Sequence, residues 1–188
     1  MNVEKLFLDN GAYLKGHFLL SSGLHSDRYL QCALVLAQPG AAEALGRAVA
    51  EKSGLKPDLV LSPAMGGLMI GHEVARAFGV RHFFTERVDG IMTLRRGFSL
   101  KPGEKVVVVE DVVTTGKSTK EVFEVIRAAG AAVAGAVSVV DRSEGKSNLG
   151  APYTALWAVS VPAWKPEECP RCKAGEPVVK PGSRTEKK

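Results

Sequence analysis

Cysteine is scarce in this 188-residue chain, which has only Cys32, Cys169 and Cys172, and an odd count argues against a disulfide framework. Aromatic residues make up 6% of the sequence and none falls between Lys165 and Lys188, so that basic tail lacks the stacking partners of a nucleic-acid platform. Residues 1–57 hold no convincing helix-turn-helix, the usual mark of a DNA reader. No run of about 18 apolar residues occurs, so no membrane span is expected. Met1 to Asn10 carries two acids and one lysine around short apolar stretches, without a basic-then-apolar leader pattern, and a cytoplasmic location is expected. Charge of one sign does not dominate either. Seven basic against four acidic residues give the segment from Lys165 onward +3 of the net +5, leaving a nearly balanced body and a solvated tail.

What is present suits one globular domain. At 45% hydrophobic and 24% charged residues, a chain of this length can bury a core without crosslinks. Residues 1–57 read as helix, short extended segments (His17 to Leu20, Asp27 to Leu36) and a helix over Gln38 to Lys52 stopped by Gly54. From residue 58 strands and helices alternate. Leu59 to Leu61 is a strand, Leu68 to Phe78 a helix closed by Gly79, and Val80 to Phe84 a strand. Val106 to Val109 is a β-branched run suited to a strand covered on both faces. Ser118 to Ala129 is helical, with Ser118 and Glu121 at capping-box spacing and Val122, Val125, Ile126 and Ala129 on its buried face. Ala132 to Val140 and Tyr153 to Val159 complete an α/β pattern with a central, mostly parallel sheet flanked by helices. Beyond Val161, five prolines, two cysteines and many charges show no periodicity. The expected division is therefore a single domain over 1–161 (1–57 an N-terminal part, 58–161 the core) followed by a C-terminal appendage over 162–188.

The chemistry concentrates in one stretch. The buried run Val106 to Val109 delivers Glu110 and Asp111 to its end, and Val112, Val113, Thr114, Thr115, Gly116, Lys117 and Ser118 then lead into a helix. A helix N-terminus offers N–H groups and a positive dipole end to a phosphate. Gly116 permits close backbone approach, and the hydroxyls and Lys117 add donors. Two carboxylates repel a phosphate, but they accept hydrogen bonds from vicinal hydroxyls such as those of a ribose. The order acid, acid, hydroxyl, glycine, helix therefore fits a sugar phosphate lying along the loop. Gly116-Lys117-Ser118 also matches the end of a P-loop, but that motif needs a glycine where this chain has Asp111.

This segment resembles the phosphoribosyl pyrophosphate motif of the type I phosphoribosyltransferases. The resemblance implies their α/β fold with a small N-terminal hood. It also implies Glu110 and Asp111 on the ribose hydroxyls, Val112 to Ser118 around the 5-phosphate, magnesium as cofactor, and a homodimer whose mobile loop reaches the neighbouring site. Three further segments are similar to the orotate-using branch of the family. They are Phe18 to Tyr29, as part of the hood; Ser62 to Gly67, placed like a pyrophosphate loop; and Val139 to Gly145, where Arg142 corresponds to the arginine that meets the orotate carboxylate. On this resemblance Thr114 and Arg142 contact orotate. A guanidinium grips a carboxylate with two parallel hydrogen bonds, and a purine would offer it no such group. The implied activity is transfer of the phosphoribosyl group to orotate. Transfer to another base, or a non-catalytic regulator binding phosphoribosyl pyrophosphate, are the rival readings. Two departures stand out. Met65-Gly66 replaces the usual lysine of the pyrophosphate loop, and Thr85 to Phe98, in place of the mobile catalytic loop, has Arg87, Arg95 and Arg96 but no lysine or histidine. Arg87 is the candidate to neutralise departing pyrophosphate; a β-hairpin with a basic edge is the competing reading.

Cys169-Pro170-Arg171-Cys172 has the spacing of half a zinc knuckle. Two more ligands are needed, and no second cysteine pair exists, so a zinc ion would be shared between the tails of two chains. Free thiols or a labile disulfide are the simpler reading.

Overall fold

The computed structural model describes residues 1–20 and 22–181. Its elements in chain order are α1 (Val3–Asp9), β1 (Tyr13–Leu19), β2 (His25–Leu30), α2 (Cys32–Leu36), α3 (Pro39–Ser53), β3 (Leu59–Pro63), α4 (Gly67–Phe78), β4 (Arg81–Val88), β5 (Ile91–Leu94), β6 (Lys105–Val113), α5 (Lys117–Ala128), β7 (Ala132–Asp141), β8 (Tyr153–Ala158) and α6 (Pro170–Lys173). Two compact units emerge. One comprises Leu36–Val159 with Met1; the other joins Asn2–Val35 to the chain from Ser160 onward.

The larger unit is built on a sheet of order β5-β4-β3-β6-β7-β8, parallel throughout except for β5, which pairs antiparallel with β4 at the edge. Val106 to Val109 have no solvent exposure, as a strand in the middle of a covered sheet requires. Leu59, Leu61, Val106 and Val108 join Val122, Phe123 and Ile126 of α5 in one hydrophobic cluster. Fully burying each such side chain contributes roughly 1.5–3 kcal/mol. The chain leaves β3 toward β4 on one side and later returns to lay β6 on the other. The strand order thus reverses between β3 and β6, and the crevice outside their carboxyl ends is where open α/β sheets bind ligands.

Glycine stops are accurate in this unit. Gly54 and Gly79 close α3 and α4 in the left-handed conformation. The start of α5 differs from expectation. Gly116 at φ +72° begins the helix at Lys117 with no side-chain cap, so Ser118 and Glu121 form no capping box. Glu121 instead pairs with Arg87. Thr119 and Phe123 are on the buried face, while Val125 and Ala129 are only half-buried. The segment around Arg87 is a hairpin. Asp89 and Gly90, at φ +50° and +83°, form its two-residue turn, and Arg87 opposes Met92 across β4 and β5.

In the smaller unit β1 and β2 form a two-stranded antiparallel sheet with a register shift between Lys15 and Phe18. The extended reading of Asp27 to Leu36 holds only to Leu30, since Cys32–Leu36 is helical; a short apolar run does not by itself distinguish the two. The tail is more than an appendage. Its backbone bonds to both strands, with Val179 N donating to His17 O at 2.8 Å, Leu19 N to Val179 O at 2.9 Å, and His25 and Trp164 exchanging bonds of 2.8 and 2.9 Å. These pairings span 139 to 162 residues of sequence, so no local pattern announces them.

Candidate active site

The carboxyl ends of β6 and β3 meet at the reversal of strand order. Glu110 and Asp111 are the sixth and seventh residues of β6, so the strand continues through the acidic pair instead of ending before it. Glu110 is buried at 8% exposure and Asp111 is half-buried. Burial, and secondarily the neighbouring Asp111 charge, raise the Glu110 carboxyl to about 9, so it holds a proton at neutral pH. Burial also raises Asp111, against the opposing pull of backbone N–H groups, including Val112 N, which donates to Oδ1 at 2.8 Å.

A hollow of about 60 Å³ opens beside this pair, lined by Glu110 and the run Val112 to Thr119. The first-turn N–H groups of α5 have no intrahelical acceptors. Lys117 N is drawn to Thr115 Oγ1 at 3.3 Å, which tightens the turn. Gly116 is required twice over, by its left-handed φ and because a Cβ there would lie 2.4 Å from Leu149 Cδ2. Leu149, buried in the loop after β7, therefore packs against Gly116; nothing in its local sequence singled it out. From β3, the loop Ser62 to Gly67 approaches so closely that a Cβ on Gly66 would stand 2.7 Å from Asp111 Oδ1. Met65 on this loop is 81% exposed. Beneath it Ser62 Oγ meets His82 Nε2 at 2.7 Å, and burial, with His72 nearby, pushes His82 down to about 4, leaving it neutral. His82 too escaped the sequence reading, being a lone histidine at a strand start.

Val113 and Asp141 are register partners on β6 and β7, so Thr114 and Arg142 leave neighbouring strand ends together, and Arg142 N donates to Val113 O at 2.8 Å. Arg142 is half-buried. The acids on either side of it have other partners as well: Asp141 Oδ1 accepts from Ser143 N at 2.7 Å and Glu144 meets Lys146 at 2.6 Å. Thr114, Thr115, Gly116, Lys117 and Ser118 are thus assembled with Glu110, Val112 and Val113 around one hollow, with Asp111 and Arg142 flanking the same strand ends. Arg87 does not line the hollow; its guanidinium donates to Gly90 O at 2.8 Å and pairs with Glu121 on α5. Arg96 is held in a two-pronged pair by Glu86, both bonds 2.8 Å, while Arg95 forms no ion pair among the described residues. Cys169 and Cys172 belong to the smaller unit and face His17 and His25 of the same chain.

A strand-end acid pair thus feeds a glycine-started helix at the reversal of a parallel sheet. The family described as "Phosphoribosyl transferase domain" matches residues 34–160. An "Orotate phosphoribosyltransferase" of Heliobacterium modesticaldum is 53% identical over 186 residues, covering 97% of each chain. One of Pelotomaculum thermopropionicum is 54% identical over 183 residues, covering 97% of this chain and 96% of the other. The crystal structure of orotate phosphoribosyltransferase from Aeropyrum pernix superposes with a TM-score of 0.71 at 26% identity, covering 85% of this chain and 94% of that one. The chain belongs to the phosphoribosyltransferase family, in the group of the orotate phosphoribosyltransferases. Among the described residues no helix is long and apolar enough to cross a membrane.

Proposed function

We propose that this protein transfers the 5-phosphoribosyl group of phosphoribosyl pyrophosphate to orotate, giving orotidine 5-phosphate and pyrophosphate in pyrimidine nucleotide synthesis. The observation that carries the reading is the single hollow that places Glu110 beside the α5 amides and hydroxyls, with Arg142 leaving the adjacent strand end. An orotate ring nitrogen, giving up its proton to solvent, forms the new bond to the anomeric carbon as the bond to pyrophosphate breaks, and pyrophosphate leaves with that electron pair. Asp111, and Glu110 once the positive charge of the bound ligands draws its proton off to solvent, accept hydrogen bonds from the ribose 2- and 3-hydroxyls and stabilise positive charge that builds on the ribose. The first turn of α5, with Thr115, Ser118 and Thr119, holds the 5-phosphate. Thr114 and Arg142 orient orotate, the guanidinium against its carboxylate.

The donors here are carboxylates, hydroxyls and carbonyls, an oxygen-only set suited to magnesium. Asp111, with Glu110 once deprotonated, would hold the ion, which would supply neutralisation of the pyrophosphate. Arg87 serves the leaving group after giving up Glu121, and the enzyme works as a cytoplasmic homodimer. Family resemblance supports these last assignments.

The test is a pair of titrations, orotate and phosphoribosyl pyrophosphate, on the wild type and Arg142→Ala. Truncating one partner of a buried charge pair costs ~2–5 kcal/mol, so orotate binding should weaken roughly 30-fold or more while phosphoribosyl pyrophosphate binding is nearly unchanged. Equal loss for both ligands would make Arg142 structural, and a wild type that ignores orotate would redirect the site to another base.

A further inference from the structure

Four side chains in the smaller unit serve no step of the transfer reaction. His17 lies on β1, two residues before Leu19, and Leu19 is the register partner of His25 on β2, so the two imidazoles are diagonal neighbours on one face of the hairpin. Cys169 and Cys172 flank one tight turn, with Lys173 N donating to Cys169 O at 3.1 Å, so both sulfurs leave the tail together. His17 Nε2, His25 Nδ1 and the two Sγ atoms all lie within 4.8 Å of one another, and three of the four residues are buried.

The spacing matches a tetrahedral ion. With Zn–S at ~2.3 Å and Zn–N at ~2.0–2.1 Å, nitrogen and sulfur ligands stand about 3.5 Å apart and two nitrogens about 3.3 Å. Here the nitrogen–sulfur separations are 3.6 Å (Cys169 to His17), 3.5 Å (Cys172 to His17) and 3.1 Å (Cys172 to His25), and the two nitrogens are 2.8 Å apart. Proton-based bonding alone fits poorly, because His17 Nε2 has one lone pair and three polar atoms converge on it. The other His17 nitrogen, Nδ1, meets the Glu176 carbonyl at 2.8 Å. A carbonyl only accepts, so Nδ1 carries the proton and Nε2 turns its lone pair to the cluster, the outer bond that ligating histidines commonly make. Two thiolates and two neutral imidazoles cancel the charge of a divalent ion, and a neutral complex tolerates burial.

We propose that His17, His25, Cys169 and Cys172 of one chain form a closed, structural site for a zinc-class divalent cation that fastens the C-terminal tail to the β1–β2 hairpin. Four protein ligands leave no open position for substrate or water, so the site is not catalytic. On binding, both thiols lose their protons to solvent and four metal–ligand bonds form, with no change of oxidation state. A two-stranded hairpin is marginal alone, and a metal link between residues 17 and 172 supplies the missing constraint. The ligands come from one chain, in place of the site shared by two tails that the cysteine spacing alone suggested.

Metal content decides the matter without reference to enzymatic activity. Full-length, tag-free protein prepared with zinc and without chelators should carry about one zinc per chain, and Cys172→Ser and His25→Gln should each retain tenfold less or lower. Should a variant fail to fold, cobalt(II) added to metal-stripped wild type gives a second readout: tetrahedral d–d bands with thiolate-to-cobalt charge transfer are expected. Half an equivalent per chain would return the site to the two-tail arrangement. Full metal in His25→Gln would remove the histidine from it. Neither metal nor cobalt bands, with both thiols reacting freely in the native protein, would overturn the proposal outright.

Discussion

The hollow at the end of β6 and the His/Cys cluster are held in place by opposite means. The hollow is lined by Glu110 and residues 112 to 119, a short stretch of chain resting on a strand and a helix whose core side chains have no solvent exposure. Its geometry follows from the sheet, and its polar groups are then tuned by burial. The cluster has a two-stranded sheet and a four-residue helix behind it, and it brings together side chains 147 to 155 positions apart. Order there rests on the side chains themselves. A site on a buried scaffold can therefore carry strained electrostatics, such as a protonated Glu110, while a site on a thin scaffold needs bonds that hold it together.

Three substitutions sharpen this contrast. The largest effect belongs to the scaffold. Phe123, fully buried in the cluster with Val106 and Ile126, should lose ~3–5 kcal/mol on change to Ala, read as a lower urea midpoint. A loss below about 1 kcal/mol would mean that the core under the hollow is not what holds it.

Glu110→Gln comes next. In the unfolded chain this carboxyl ionises near 4.5, but in the folded one near 9, so between those values the native state binds the extra proton and stability falls as pH rises. The amide removes that slope. The unliganded variant should match the wild type near pH 4 and pull steadily ahead of it as pH rises toward 9, as measured by denaturation across the window. Parallel profiles would place the carboxyl in water.

The smallest effect in free energy is kinetic. Asp111→Asn keeps an oxygen for Val112 N but removes the charge that the ribose hydroxyls and the transition state need. Turnover should fall ~10-fold or more, about 1.4 kcal/mol of barrier, with no loss of unliganded stability. Unchanged kinetics would sink the role of the acidic pair, and a matching loss of stability would make it structural.

Legibility in the sequence follows the reach of the forces involved. The valine run, the glycine stops after α3 and α4, and the alternation from β3 to β8 were readable because each depends on neighbours within a few residues. The start of α5 was misplaced because Gly116, clamped under Leu149, fixes it in preference to a Ser118–Glu121 box. Arg87 was open between loop and hairpin until the Asp89-Gly90 turn and the Glu121 partner came into view.

By itself, then, the sequence determined the local shape of the segment proposed to cradle the phosphate: residues 110 to 118 are consecutive, and strand and helix geometry alone set their spacing. Only the tertiary structure decided that Glu110 keeps its proton, because burial belongs to the surrounding sheet and not to the residue. It also decided that His17 and His25 face Cys169 and Cys172. That convergence depends on closing a loop of about 150 residues, and no periodicity in the chain encodes which distant segments will meet.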